Sequence, residues 1–218
     1  MKIAPRSLSV LLGLLFFLYS CDKSDVGSQV FTQVAVNHFS PNTPALDLVL
    51  DGVVVNTDSI EYAETNPYIY TPSGERRVRL NRTGTSKNYF GADQFFETDV
   101  RYSIFTSDSL SAMKALILND MHSAPAGGTA QIRFVHLVPD GGTVSLLRDT
   151  TVLTASVNYN TASTYLSVPT GNQFFTVKNG TSTSIYQTPA LMMEDGKTYT
   201  LVLYGFSSNL FHQLLTMP

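Results

Sequence analysis

The chain repeats itself, and that repeat restricts its fold more than any other feature. Val34-Ala-Val-Asn-His-Phe-Ser-Pro41 returns as Ile132-Arg-Phe-Val-His-Leu-Val-Pro139, so His38 corresponds to His136 at a displacement of 98. Asp47-Leu-Val-Leu-Asp51 matches Ser145-Leu-Leu-Arg-Asp149 at the same displacement. Pro72-Ser-Gly74 then matches Pro169-Thr-Gly171, and Asp99-Val-Arg-Tyr102 matches Gly196-Lys-Thr-Tyr199, both displaced by 97. One residue deleted within the second copy accounts for the change. Four blocks that keep order and spacing define a duplicated unit of roughly 95 residues, and a fixed period marks a repeated structural module.

Within each copy the apolar residues alternate: Val34 and Val36; Leu46, Leu48 and Leu50; Val78 and Leu80; Tyr102 and Ile104. A period of two is the mark of half-buried strands. Turn residues separate them at Ser40-Pro-Asn42, Asp51-Gly52, Pro72-Ser-Gly74, Asp140-Gly-Gly142, Asn179-Gly180 and Asp195-Gly196. No stretch of ten or more residues carries a helical stripe. The expected architecture is all-β: two tandem immunoglobulin-like antiparallel sandwiches, over 31–124 and 130–218, joined by a small-residue linker at 125–129. Thr, Ser, Val, Tyr and Phe are abundant and only 14 % of residues are charged, a composition suited to strands.

The N-terminus predicts export. Lys2 and Arg6 precede an apolar run from Leu8 to Leu18, the pattern of a secretory signal over residues 1–20, and the run is too short to span a bilayer. Leu18-Tyr-Ser-Cys21 resembles a lipobox, which implies cleavage before Cys21 and lipidation of that residue. Tyr19 is bulkier than most residues at its position in that pattern. Residues 21–30 form a short polar tether that resembles the acidic segments following the lipidated cysteine in surface-exported Bacteroidetes lipoproteins. The expected location is therefore the cell envelope, lipid-anchored at the outer membrane, with the membrane itself as one partner. Cys21 is the only cysteine, so no intramolecular disulfide can form.

Loss of the leader takes the 14 basic residues to 12 against 17 acidic ones, a balance of about −5. With no cluster of positive charge, a nucleic-acid partner is excluded.

His-x-x-Pro after a first strand, a Leu-rich strand ending in Asp51-Gly52, and Pro-x-Gly before another strand together resemble the domain of unknown function 4397. The resemblance covers both copies, about residues 31–218. The second copy departs from it with Asp149-Thr150 in place of Asp51-Gly52. The resemblance implies tandem sandwiches in secreted or lipid-anchored bacterial proteins, and no established activity.

No catalytic residue, metal site or cofactor is expected. His38 and His136 lack the companion ligands a zinc site needs and read as strand-end residues bonded to the following turn. His122 and His212 have no neighbouring acid and nucleophile, and no Gly-x-Ser-x-Gly elbow or glycine-rich phosphate loop occurs. Tyr62, Tyr68, Tyr70, Tyr159 and Tyr165 cluster in corresponding middle strands, where core packing competes with a sugar-stacking face. Tyr68 and Tyr165 are the candidate ligand contacts. Asp58-Ser59-Ile60, Asp108-Ser109-Leu110 and Asp149-Thr150-Thr151 resemble acceptors for Bacteroidetes O-glycosylation at Ser59, Ser109 and Thr150. The expected function is a non-catalytic binding or structural role toward an envelope protein or glycan. The alternatives are a carbohydrate-binding accessory to polysaccharide uptake and an envelope hydrolase.

Overall fold

The computed structural model describes residues 29–179 and 183–218. Cys21, the signal segment, the tether as far as Ser28, and Gly180 of the Asn179-Gly180 turn lie outside the described residues.

The described chain is all-β and forms two sandwiches. In the first, β1 (Phe31–His38) is the inner strand of a sheet with β4 (Glu64–Thr65), β5 (Ile69–Pro72), β8 (Arg101–Ser107) and β9 (Lys114–Asn119). The short β4 and β5 share one edge of β1, and β8 lies on its other edge. The facing sheet runs β3-β2-β6-β7, from β2 (Leu46–Leu50), β3 (Val53–Val54), β6 (Gly74–Arg82) and β7 (Asn88–Phe96). Between the two sheets Val34, Val36, Leu48, Leu80, Phe96 and Ile104 form a closed core. All neighbours pair antiparallel except β1 and β8, which run parallel. Their connection crosses through the opposite sheet, as a parallel pair requires.

The second sandwich repeats this plan. β10 (Thr129–His136), β13 (Thr161–Ala162), β14 (Leu166–Pro169), β19 (Thr198–Phe206) and β20 (Asn209–Met217) form one sheet, again with a parallel β10–β19 pair. β11 (Val144–Arg148), β12 (Thr151–Val157), β16 (Phe175–Asn179) and β17 (Thr183–Gln187) form the other. The counterpart of β6 is broken at Phe174, so β15 (Gly171–Gln173) leaves the main sheet and pairs with β18 (Leu191–Met193).

The sequence repeat survives at atomic detail. The Tyr102 hydroxyl accepts a hydrogen bond from the Glu97 N–H at 3.2 Å, and the Tyr199 hydroxyl accepts one from the Glu194 N–H at 3.1 Å. The glycines of both Pro-x-Gly motifs turn the chain in the left-handed region, Gly74 at φ 96° and Gly171 at φ 88°. The β2–β3 turn uses left-handed backbone at both Asp51 and Gly52. At the corresponding turn Thr150 cannot follow without strain, and only Asp149 takes positive φ.

Candidate functional site

A strand in an isolated sandwich buries one face and wets the other. Here β1, β8, β10 and β19 are buried along nearly their whole length on both faces. The cause is a third apolar cluster, between the sandwiches. Phe39 and Phe105 of the first pack against Val135, Leu137, Val202 and Tyr204 of the second. The rings of Phe39 and Tyr204 are 4.5 Å apart. The two modules thus share one continuous seam.

A polar lock lies within it. Arg133 reaches Asp120 of the first sandwich at 2.5 Å, with side-chain exposures of 4 % and 0 %. Its guanidinium also donates to the Asn119 carbonyl and the Thr200 hydroxyl, and stacks over the Tyr165 ring at 4.9 Å. The Tyr68 hydroxyl donates to the other Asp120 oxygen at 2.8 Å. Burial, reinforced by the Asp120 charge, holds the Tyr68 phenol well above its ordinary range, and burial raises that of Tyr165. A buried pair of this kind is stable only when its remaining hydrogen-bonding capacity is met, as these contacts largely do. Farther along, the Ser107 and Tyr159 hydroxyls bond across the seam at 3.0 Å, and Lys114 sits 4.8 Å from the Tyr159 ring centre.

Two hollows open along the seam. The larger, about 400 Å³, has Ala35, Asn37, Asn66, Tyr68 and Ser103 on one wall and residues 214–217 of β20 on the other. Asn37 is 3 % exposed, yet its Nδ2 has no protein partner among the described residues, and neither does Nδ2 of Asn66. Asn66 Oδ1 accepts from the Val36 N–H, which caps β1 where β4 gives way to β5. The second hollow, about 360 Å³, is an aromatic notch formed by Tyr62, Phe206 and Phe211 with Asn42 and Asn209. A smaller depression of about 230 Å³, outside the seam, is bordered by Asp58, Ser59 and Glu64.

The structure gives the sequence-predicted residues distinct places. Tyr68 and Tyr165 are brought together at the lock. The Tyr68 hydroxyl donates to Asp120 and the Tyr165 ring lies beside the Arg133 guanidinium, while Tyr68 also lines the larger hollow. Tyr70, 71 % exposed, is the most open ring of that group. His38 and His136 end β1 and β10, and Nδ1 of each accepts from the backbone N–H two residues on, at Ser40 and Val138. Nε2 of His136 donates to the Gly142 carbonyl. Burial pushes His38 down to about 4, against the opposing pull of carbonyls at Pro44 and Thr43, and lowers His136 as well. His212 bonds Tyr186 at 2.6 Å, and His122 bonds the Asp120 carbonyl. Among the described residues no three His, Cys, Asp or Glu side chains converge to hold a metal. Ser59 and Thr150 are exposed, Ser109 is half-buried, and all three lie outside strands.

Asn37, Asn66, Asp120 and Arg133 carry the seam and were missed by motif reasoning. One signal was present: Arg133 interrupts the apolar run Ile132–Val135 at the position where the first copy has Ala35.

A family model described as a domain of unknown function (DUF4397) matches residues 32–147 and again 138–217. No curated protein matches the chain. Among solved structures the chain is similar to CBMbc (family CBM26) of Eubacterium rectale Amy13K, determined in complex with maltoheptaose. That match has 9 % identity and a TM-score of 0.27, over 86 % of this chain and 97 % of the other. A candidate cell adhesion protein from Bacteroides uniformis matches at 10 % identity and TM-score 0.24, over 87 % and 98 %. A leucine-rich repeat protein from Bacteroides thetaiotaomicron matches at 9 % identity and TM-score 0.19, over 78 % of this chain and 25 % of its own. These likenesses are remote in both sequence and superposition.

Proposed function

The chain belongs to the DUF4397 family, and from that premise we propose that it is a non-catalytic binding protein of the cell envelope, held by lipid on Cys21 at the outer membrane, with its recognition surface along the seam. The observation that carries this reading is the seam's construction. An apolar cluster and a buried ion pair hold the two sandwiches in one arrangement, so the hollows along it are preformed. Preformed clefts bind without the ordering cost that two loosely tethered modules would incur. Sites in β-sandwich proteins are set by the residues that line them rather than by the fold.

The aromatic notch favours the carbohydrate-binding version of this role. Tyr62 and Phe211 are 37 % and 40 % exposed at its rim, beside two amides, a combination that offers a sugar both an apolar face and hydrogen bonds. The test is a glycan array probed with the full chain in zwitterionic detergent, run beside glycosidase, esterase and peptidase substrates. Saturable binding without turnover is expected. Turnover abolished by one substitution in a seam hollow would instead establish the hydrolase reading.

A further inference from the structure

We infer that the aromatic notch binds one neutral sugar residue at a time and prefers those that carry a methyl group, the N-acetylhexosamines and 6-deoxyhexoses. This rests on the binding role proposed above and names its ligand class.

The notch is assembled by both sandwiches. Asn42 and Tyr62 come from loops of the first, and Phe206, Asn209 and Phe211 from the β19–β20 hairpin of the second. Each piece is held in place. The hairpin turns in two residues, and the Asp140 carboxylate accepts from both the N–H and the hydroxyl of Ser207 at its tip, at 2.8 and 2.6 Å. Tyr204, 8 % exposed, supports both rings: Phe211 stacks on it at 5.7 Å, and Tyr62 makes a T-shaped contact with it at 6.2 Å. Gly205 has a φ of 100°, and a Cβ there would collide with the Asn209 carbonyl and come within 3.2 Å of the Phe211 ring. Rings and rim are therefore in position before a ligand arrives, which spares the cost of ordering them.

The groups that would touch a ligand are within its reach. Tyr62 and Phe211 are both more than a third exposed. Asn42 and Asn209 are exposed too, and among the described residues neither uses its carboxamide on a protein partner. A carboxamide both donates and accepts, so either amide can serve a sugar hydroxyl or an acetamido group. No residue lining the notch is charged, so nothing there rewards an ionic ligand.

The ring geometry narrows the choice among neutral sugars. Phe211 is tilted 26° from Tyr204 and Tyr62 stands 78° from it, so the planes of Tyr62 and Phe211 are at least about 50° apart. Coplanar rings would offer a platform to successive units of a chain. These two form a corner, which takes one unit. A pyranose has one apolar face, its axial C–H groups, which suits the negative face of an aromatic ring. When that face rests on one ring of the corner, the edge of the sugar confronts the other. A plain hexose brings a hydroxyl there. An acetamido group or a C6 methyl brings a methyl instead, and burying one methyl strengthens binding by about fourfold.

Saturation-transfer NMR and titration of the full chain in zwitterionic detergent test this with matched pairs: N-acetylglucosamine against glucose, N-acetylgalactosamine against galactose, and L-fucose against L-galactose. At least one methyl-bearing member should bind saturably, about fourfold or more tighter than its partner, with the strongest transfer at its methyl protons. Phe211→Ala and Tyr62→Ala should each weaken that binding on the order of tenfold. Phe211→Tyr and Tyr62→Phe keep the rings and should stay within about threefold. Asn209→Ala should cost between about twofold and tenfold. Tyr62 lies in a loop outside the strands, so Tyr62→Ala keeps the test readable even where Phe211→Ala loosens its hairpin. The inference is overturned if no methyl-bearing member binds, if the plain hexoses bind as tightly, or if both ring-removing variants keep full affinity. Sugar binding that survives in those variants would overturn the notch and leave the binding role standing. Hydrolysis of a bound sugar would overturn that role itself.

Discussion

Arg133 of the second sandwich and Asp120 of the first meet at 2.5 Å with almost no exposure to solvent, in the interior of the seam. Removing one partner strands the other charge in a low-dielectric site, whereas removing both leaves only a packing defect. Asp120→Ala should therefore lower unfolding free energy by about 3–5 kcal/mol. Asp120→Leu combined with Arg133→Met should recover most of it. Chemical denaturation of the two single variants and the pair checks this, and a pair as unstable as the sum of its singles would show the charges act independently.

Tyr102 and Tyr199 should behave as one device used twice. Each hydroxyl takes the backbone N–H five residues earlier, at 3.2 Å and 3.1 Å. Phenylalanine at either position removes one hydrogen bond and keeps the ring, at a cost of about 1 kcal/mol. Similar losses at both sites, read from denaturant midpoints, are the expected outcome. A large loss at one and none at the other would mean that the two copies use this bond differently.

His38 makes stability depend on pH in a defined window. Burial holds its folded pKa at about 4, below the ordinary value of 6.5. The unfolded chain therefore takes up the proton first as pH falls. The stability due to a neutral His38 is complete above about pH 6.5 and is lost progressively down to about pH 4, by about 3 kcal/mol. His136 is lowered by the same cause and acts in the same direction. Urea midpoints measured at pH 7, 5.5 and 4 should fall, and His38→Gln should flatten the fall. An unchanged slope in that variant would assign the dependence to other groups.

The fold was legible because its signals are local or repeated. Alternation at Val34 and Val36, turn chemistry at Asp51-Gly52, and the matched tyrosines all report on single strands and bends. The seam was not, for a physical reason. A strand at the middle of a single sandwich and one pressed between two sandwiches can carry the same inward residues and differ only in the outward ones. Here those are Ala35, Asn37, Ser103 and Phe105, a mixture with no periodic signature. Arg133 holds an outward position of β10, and only its pairing with Asp120 from the other sandwich accounts for its burial. Tyr68 and Tyr165 stood out as aromatic, but their partners Asp120 and Arg133 lie 52 and 32 residues away in the chain.

Lipidation at Cys21 is expected from the pattern Leu18-Tyr-Ser-Cys21. Mass spectrometry of the mature N-terminus should find a diacylglyceryl-modified cysteine, and Cys21→Ala should shift the protein out of the membrane fraction. A mature chain beginning at another residue and carrying no lipid would remove the anchor.

Sugar attachment to the chain itself can be graded by position. Ser59, Ser109 and Thr150 each follow an aspartate in the acceptor pattern, but their surroundings differ. Ser59 and Thr150 are exposed outside strands, Thr150 in the turn between β11 and β12, where a transferase could reach the hydroxyl without disturbing a sheet. Ser109 is half-buried, and its N–H is already held by the Asp108 carboxylate at 2.7 Å. Asp108 is engaged further, at 3.4 Å from the Tyr159 hydroxyl at the seam. A glycan at Ser109 would press on that contact, so occupancy should follow access: high at Thr150 and Ser59, low at Ser109. Glycopeptide mass spectrometry of protein from its native host measures all three at once. Ser59→Ala and Thr150→Val should each remove one glycan while changing the unfolding free energy by no more than about 0.5 kcal/mol, since both are surface changes. Full occupancy at Ser109 with none at Thr150 would show that the acceptor pattern is not read through accessibility. An unmodified chain would show that the three matches are coincidences of a Ser- and Thr-rich sequence.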